Sequence, residues 1–163
     1  MKKETKIPEV CIQPMPLCIV SCRDKMGKNN ALVVGFTGNA SLSPAMVMIG
    51  VVPDRYSHHM IKETGVFVIN FPDSRFKEQF NFIGSHSGRD IDKFEKLGLK
   101  WTEGDVVKAS VLSDCPLNME CTVIETLQPG THELFIARVD KVHCNEECLD
   151  SEGNICWDTI GIK

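Results

Sequence analysis

The stretch Asn29-Asn30-Ala31-Leu32-Val33-Val34-Gly35-Phe36-Thr37-Gly38, followed by the apolar run of residues 45–52 and then Pro53-Asp54-Arg55-Tyr56-Ser57-His58-His59, decides the fold. Both apolar runs are short and bounded by Gly, Pro, Asn or Asp, the pattern of buried strands. The second run hands over to a helix near Ser57, and a helix start presents backbone N–H groups that have no intrahelical acceptor. With Arg55 and the Ser57 hydroxyl beside them, those groups outline a site for an anion such as a phosphate. A plainer reading stands beside it: Ser57 caps the helix and Arg55 is a solvated loop charge.

Outward from this stretch the pattern continues in β-rich segments. Residues 17–22, 31–36, 45–52 and 66–71 read as strands, and 106–112, 119–127 and 133–142 extend the series. Gln128-Pro129-Gly130-Thr131 is a turn sequence of the right length to close the last two into a hairpin. Three short helices fill the middle. One runs from about Ser57 to Thr64 and stops at Gly65. The next follows Asp73-Ser74, with Phe76 and Phe80 on one face, and stops at Gly84. A third opens at Asp90, buries Ile91, Phe94 and Leu97, and stops at Gly98. Many strands without regular strand–helix alternation predict a mainly β fold, an antiparallel barrel with short helices, in a single domain over residues 1–163. The acidic segment from Asp140 to Asp158 reads as a solvated surface with a late, weaker strand.

With 42% hydrophobic and 25% charged residues in 163, the chain has the composition of a soluble domain with one well-buried core. Its net charge of −4 is uneven: residues 1–62 carry eight Lys/Arg against four Asp/Glu, and residues 63–163 carry ten against eighteen. The first part is the better home for an anion. No basic stripe with interleaved aromatics exists, which argues against nucleic acid. Met1-Lys2-Lys3-Glu4-Thr5-Lys6 leads into a proline-containing segment without a secretory apolar stretch, and no run approaches the about 20 residues that span a bilayer. The cytoplasm is therefore the expected compartment, with no membrane partner, and the eight cysteines are expected as thiols. Cys18, Cys22 and Cys121 read as small core residues. His143, Cys144, Cys148 and Cys156 offer soft ligands, but their spacing matches no common zinc pattern, so no metal is expected.

The order Asn30-Ala31, Gly35-Phe36-Thr37, Arg55-Tyr56-Ser57, Gly65-x-Phe67-Val68-x-Asn70, Ser87-Gly88-Arg89-Asp90-x-Asp92-Lys93-Phe94 and His132-x-Leu134-Phe135-Ile136 resembles the flavin reductase-like family, best its flavoredoxin branch, over residues 12–145. The resemblance implies an FMN-binding split β-barrel that forms a homodimer with each flavin near the subunit interface. It implies that Asn30 contacts the flavin, that Phe36 packs by the ring, that Ser57 and Lys93 lie at the phosphate end, and that His132 approaches the cofactor. Two departures stand out: the branch often carries Trp at the position of Phe36, and its longer aromatic tail has no counterpart after Cys156-Trp157.

The residue types suit these roles. A phosphate dianion needs cations and N–H donors, which Arg55, Ser57 and Lys93 supply. An isoalloxazine needs an apolar wall and backbone donors, which strand ends at Val33, Gly35, Phe36 and Thr37 can offer. Ser87 and Arg89 precede a helix start and can face the same anion. Two plainer roles remain open: Lys93 as an i,i+3 partner of Asp90 on a helix surface, and His132 as an exposed turn histidine. The expected function is an FMN-dependent oxidoreductase in which the flavin carries the hydride or electron chemistry and no side chain acts as catalytic acid or base. Its donor is NAD(P)H or a redox protein; no Gly-x-Gly-x-x-Gly occurs, so a nicotinamide would stack without a Rossmann domain. The alternatives are an electron carrier without efficient NAD(P)H turnover, a protein like pyridoxamine-phosphate oxidase, and a cysteine-based metal or thiol protein.

Overall fold

The computed structural model describes residues 9–10 and 12–161; the N-terminal segment read above as free of a secretory signal lies outside them. In chain order the elements are β1 (Cys18–Arg23), β2 (Asn29–Val34), β3 (Thr37–Ser41), β4 (Met46–Val51), α1 (Tyr56–Thr64), β5 (Val66–Phe71), α2 (Lys77–Ser85), α3 (Lys93–Leu97), β6 (Trp101–Glu103), β7 (Ser110–Leu112), β8 (Leu117–Leu127) and β9 (Glu133–Cys144). Seven strands form one antiparallel sheet in the order β2-β1-β5-β8-β9-β4-β3, and β6 pairs with β7. The two edges, β2 and β3, are neighbours in the chain, so the sheet must curl for Gly35-Phe36 to join them. The β3–β4 ladder runs one residue further back into that connection, where the Gly50 N–H donates to the Phe36 carbonyl at 2.7 Å.

Strand periodicity sorts the residues into two layers. Inside the curl lie Cys18, Val20 and Cys22 of β1, Val47, Ile49 and Val51 of β4, Phe67 and Ile69 of β5, Cys121 of β8, and Phe135 and Ala137 of β9, joined by Met60 and Ile61 of α1. Each large side chain fully buried in such a cluster contributes about 1.5–3 kcal/mol. The outer face of β1 and β2 presents Ile19 and Ala31 to Phe76, Ile83, Phe94, Leu99 and Leu112. That second layer fixes α2 and α3 over β2, where the candidate site lies.

Two buried polar residues fasten the layers. The Asn70 amide donates to the Ile19 carbonyl and the Ser21 hydroxyl, and its oxygen accepts from the Leu112 N–H and the Asn118 amide. Glu120, 0% exposed, accepts from the backbone N–H groups of Asp105, Val106 and Val107 and from His143 Nε2 at 2.6 Å. Burial pushes its carboxyl up, but His143 and the three N–H groups together hold it below the ordinary range.

The mainly β antiparallel barrel expected from the sequence is the observed architecture, and local differences have physical causes. The strand predicted over 106–112 is reduced to Ser110–Leu112, because Glu120 claims the backbone of residues 105–107 as a turn. Gly104 permits that turn: a Cβ there would lie 2.5 Å from the Val107 carbonyl oxygen. The polar run Thr37-Gly38-Asn39-Ala40-Ser41 carries no strand pattern, yet it pairs with β4 as an edge strand. Helix α3 starts at Lys93, since Asp92 and not Asp90 caps it by accepting from the Glu95 N–H at 3.0 Å. Past β9 the acidic segment forms a short 3-10 turn and an isolated Leu149–Ile155 bridge in place of a strand. Among the described residues no helix is long and apolar enough to cross a membrane.

Candidate functional site

Along the open edge of β2 runs a cleft of about 400 Å³. Its walls are β2, the start of α1, the end of α2 and the loop leading to α3, and among its lining residues are Asn30, Val33, Arg55, Ser57, Ser87, Arg89 and Lys93. A second cleft of about 210 Å³ adjoins it through Leu32, Val33 and Arg55 and is lined by Gly35, Phe36 and His132, with Met15 and Gly50. Ten of the eleven candidate cofactor residues thus fall on one continuous surface. Thr37 does not: its hydroxyl meets Cys18 Sγ at 3.3 Å.

Asn30 anchors the floor. It is 3% exposed and donates from Nδ2 to the Ser57 hydroxyl at 2.7 Å. Ser57 is therefore no cap: α1 begins at Tyr56, its N-cap is Arg55 with no side-chain hydrogen bond, and Ser57 is buried inside the first turn. Against the other side of Asn30 lies Gly88, where a Cβ would stand 2.4 Å from the Asn30 Oδ1. Only glycine lets the Ser87-Gly88-Arg89 loop close onto Asn30.

Lys93 departs furthest from a surface charge. It is 3% exposed, and its Nζ donates to the Ala31 and Ile83 carbonyls, both at 2.8 Å. Among the described residues β2 pairs only with β1, and Ile83 is among the last residues of α2, whose final carbonyls lack intrahelical donors. The ammonium thus binds a sheet edge to a helix C-terminus, where a cation is also favoured by the helix dipole. Among the described residues no carboxylate lies within ion-pair distance of it. Burial drives its pKa down to about 8; the nearby Cys22 opposes this and Arg55 adds to it. The i,i+3 pairing with Asp90 does not form.

Arg55, exposed at the junction of the clefts, makes no side-chain hydrogen bond or ion pair among the described residues. Among the described residues the Arg89 side chain reaches only the Asp54 carbonyl, at 3.4 Å, and the Ser87 hydroxyl accepts from the Arg89 N–H at 3.2 Å. The first cleft is therefore lined by three cations that make no ion pair among the described residues, with the carboxylates of Asp54 and Asp90 on the same lining, above the Asn30–Ser57 floor. In the second cleft Phe36 and His132 meet edge to face with ring centroids 4.5 Å apart. His132 is half-buried, bonded to the Thr131 hydroxyl, and so is not the freely solvated turn histidine.

Sequence reasoning missed the support behind His132. Glu133, 4% exposed, accepts from His58 Nε2 at 2.5 Å and from Lys62 Nζ at 2.6 Å, which ties α1 to the start of β9. Lys62 foremost, and His58 after it, hold the Glu133 carboxyl below the ordinary range. The i,i+4 spacing of His58 and Lys62 was a visible signal, but nothing local names their partner on a distant strand. His143 likewise turns to Glu120 and Asp105, away from the C-terminal cysteines.

The family model described as "Flavin reductase like domain" matches residues 12–157. The chain is 30% identical over 133 residues to an uncharacterized protein of Archaeoglobus fulgidus, covering 82% of this chain and 75% of that one. It is 29% identical over 122 residues to the NADH-dependent FMN reductase AsuE2 of Streptomyces nodosus subsp. asukaensis, covering 73% of this chain and 63% of AsuE2. Among solved structures, flavoredoxin from Methanosarcina acetivorans superposes with a TM-score of 0.91 at 28% identity, over 99% of this chain and 85% of that one. Flavoredoxin of Desulfovibrio vulgaris (Miyazaki F) gives 0.87 at 26%, over 95% and 82%. The motifs along β2, the α1 start and the Ser87–Lys93 loop, the curled antiparallel sheet they line, and these matches over nearly the whole chain agree: the protein belongs to the flavin reductase-like domain family.

Proposed function

We propose that the joined clefts hold FMN and that the protein is an FMN-dependent oxidoreductase reduced by a nicotinamide dinucleotide. The observation that carries this reading is the set of unpaired cations: Lys93, Arg55 and Arg89 face one cleft and, among the described residues, none of them makes an ion pair, although Asp54 and Asp90 also line it. A phosphate monoester at that rim would accept from the remaining Lys93 proton, the Arg55 guanidinium and the Ser57 hydroxyl. The adjoining cleft sets Leu32, Val33, Gly35 and Phe36 against the polar groups of Arg55 and His132, a mixed lining that suits a flat heteroaromatic ring. Bound FMN would supply hydride and electron transfer. The chain's own work is then to bind, orient and exclude water: Asn30 and Gly88 close the floor, and the Phe36–His132 pair walls the ring end.

The nicotinamide donor is favoured by the likeness to AsuE2, whose name states NADH dependence. Anaerobic mixing of the FMN-loaded protein with NADH should bleach the flavin absorbance. If NADH and NADPH leave it oxidised while a reduced ferredoxin bleaches it, the electron-carrier reading replaces this one. The family resemblance further supports a homodimer with the ring ends of the clefts beside the partner subunit.

A further inference from the structure

Three cysteines, Cys144, Cys148 and Cys156, gather in the C-terminal segment away from the clefts, and none lines either of them. Two of them, Cys144 and Cys156, are more exposed than the thiols of the barrel, although burial raises the Cys144 thiol as well. Cys18, Cys22, Cys115 and Cys121 are 0–1% exposed, and burial pushes each thiol well above its usual range, which makes them inert. Cys144 and Cys156 are half-buried and reachable, while Cys148 is 3% exposed against Leu117 and Ile160.

Cys148 and Cys156 stand opposite each other on the two arms of a tight antiparallel turn. Leu149 and Ile155 form its bridge, the Asp150 N–H donates to the Asn154 carbonyl at 2.9 Å, and the Cys156 N–H donates to the Cys148 carbonyl at 2.8 Å. That one bond holds the two backbones side by side, while the Cys148 N–H donates to the Asn145 carbonyl at 2.9 Å. A disulfide bridges Cα atoms about 4.4–6.8 Å apart. Cys144 ends β9 and packs on the same apolar cluster, as a third thiol. The three sulfurs do not form a metal-binding group: among the described residues the cluster that could hold an ion is Asp105, Glu120 and His143. That cluster has its own explanation, since both Glu120 oxygens are filled by protein donors.

We propose that Cys148 and Cys156 form a dithiol site that exchanges with low-molecular-weight disulfides and closes to an intramolecular disulfide. The more exposed Cys156 loses its proton to solvent and attacks one sulfur of the disulfide RSSR, forming Cys156–S–S–R and releasing one thiolate. Cys148, deprotonated in turn, attacks the Cys156 sulfur and expels the second thiolate. Two protein thiols and RSSR become one protein disulfide and two RSH, with no other oxidant. Closure staples residues 148–156 and with them Trp157, which lies edge-on to Phe71 at 5.5 Å.

The test is peptide mapping of the native protein after incubation with oxidised glutathione, without and with later dithiothreitol. The expected result is a Cys148–Cys156 cross-linked peptide in the wild type and in Cys144→Ser, lost in Cys156→Ser and reversed by dithiothreitol. Because Cys148→Ser disturbs a buried position, the half-exposed Cys156→Ser carries the comparison. A link that includes Cys144, a glutathione adduct at Cys156 that never closes, or no modification at all overturns the proposal.

Discussion

Lys93 has a pKa of about 8 because its ammonium is buried between two carbonyls and no carboxylate. Two opposite pH effects follow. In the free protein its folded pKa lies below the ordinary 10.5, so the unfolded chain binds more protons between those values, and this residue's contribution to stability rises with pH from about 8 to 10.5. Binding of a phosphate has the reverse sign, since it needs the ammonium: FMN affinity should be highest below pH 8 and fall as pH climbs past it. Isothermal titration at pH 7 and pH 9.5 checks this, with riboflavin as the control for the ring alone. Equal loss for both flavins would remove Lys93 from the phosphate. The sequence offered this lysine as a phosphate ligand or a surface charge; its backbone role was hidden because Ala31 and Ile83 come from elements that only the second layer brings together. A glutamate at 93 would face two carbonyls in a buried position, so the reversal of charge there tests folding, and Arg55 is the cleaner probe of the anion.

At the scale of elements, the turn at residues 105–107 depends on one carboxylate four times bonded. Glu120→Gln keeps the shape but turns one acceptor oxygen into a donor that faces N–H groups, leaving buried donors unpaired. The expected loss is on the order of 2–3 kcal/mol in urea unfolding, with faster amide exchange at Asp105, Val106 and Val107. Because the carboxyl is held below its ordinary 4.5, the wild-type advantage is present above that value and fades as pH falls through the folded pKa. An unchanged unfolding midpoint would mean that the turn holds itself. The β8–β9 hairpin was readable from Gln128-Pro129-Gly130-Thr131 between two β-rich runs, and the buried faces of β1, β4 and β5 from their apolar pattern. β3 and β6 were not, since strands of five and three residues at an edge or in a pair are set by their neighbours and not by their own composition.

For the whole molecule, Met15 beside the second cleft and Leu127 and Ile124 on β8 leave exposed apolar surface. A homodimer would cover such surface, and light scattering should give twice the 18.2 kDa chain mass. A monomer of 18.2 kDa that still carries flavin would contradict it. Barrel class and the neighbourhood of most site residues were legible because apolar alternation and motif order are properties of the chain. The divided labour within the site was not, because a hydrogen-bond partner such as Gly88 for Asn30 or Glu133 for His58 is a property of the fold.

The central claim, a phosphate held at the Arg55–Lys93–Arg89 rim, is tested most directly by fluorescence titration of the wild type and Arg55→Ala with FMN and with riboflavin. Arg55 is exposed and unpaired, so its loss should change stability by no more than about 0.5 kcal/mol. A lost charged hydrogen bond costs about 1.5–3 kcal/mol, so FMN affinity should fall by roughly tenfold or more. Wild type should bind FMN more tightly than riboflavin, and the variant should lose FMN affinity while riboflavin binding stays unchanged. No quenching by FMN, or equal affinities for the two flavins in the wild type, would contradict the account.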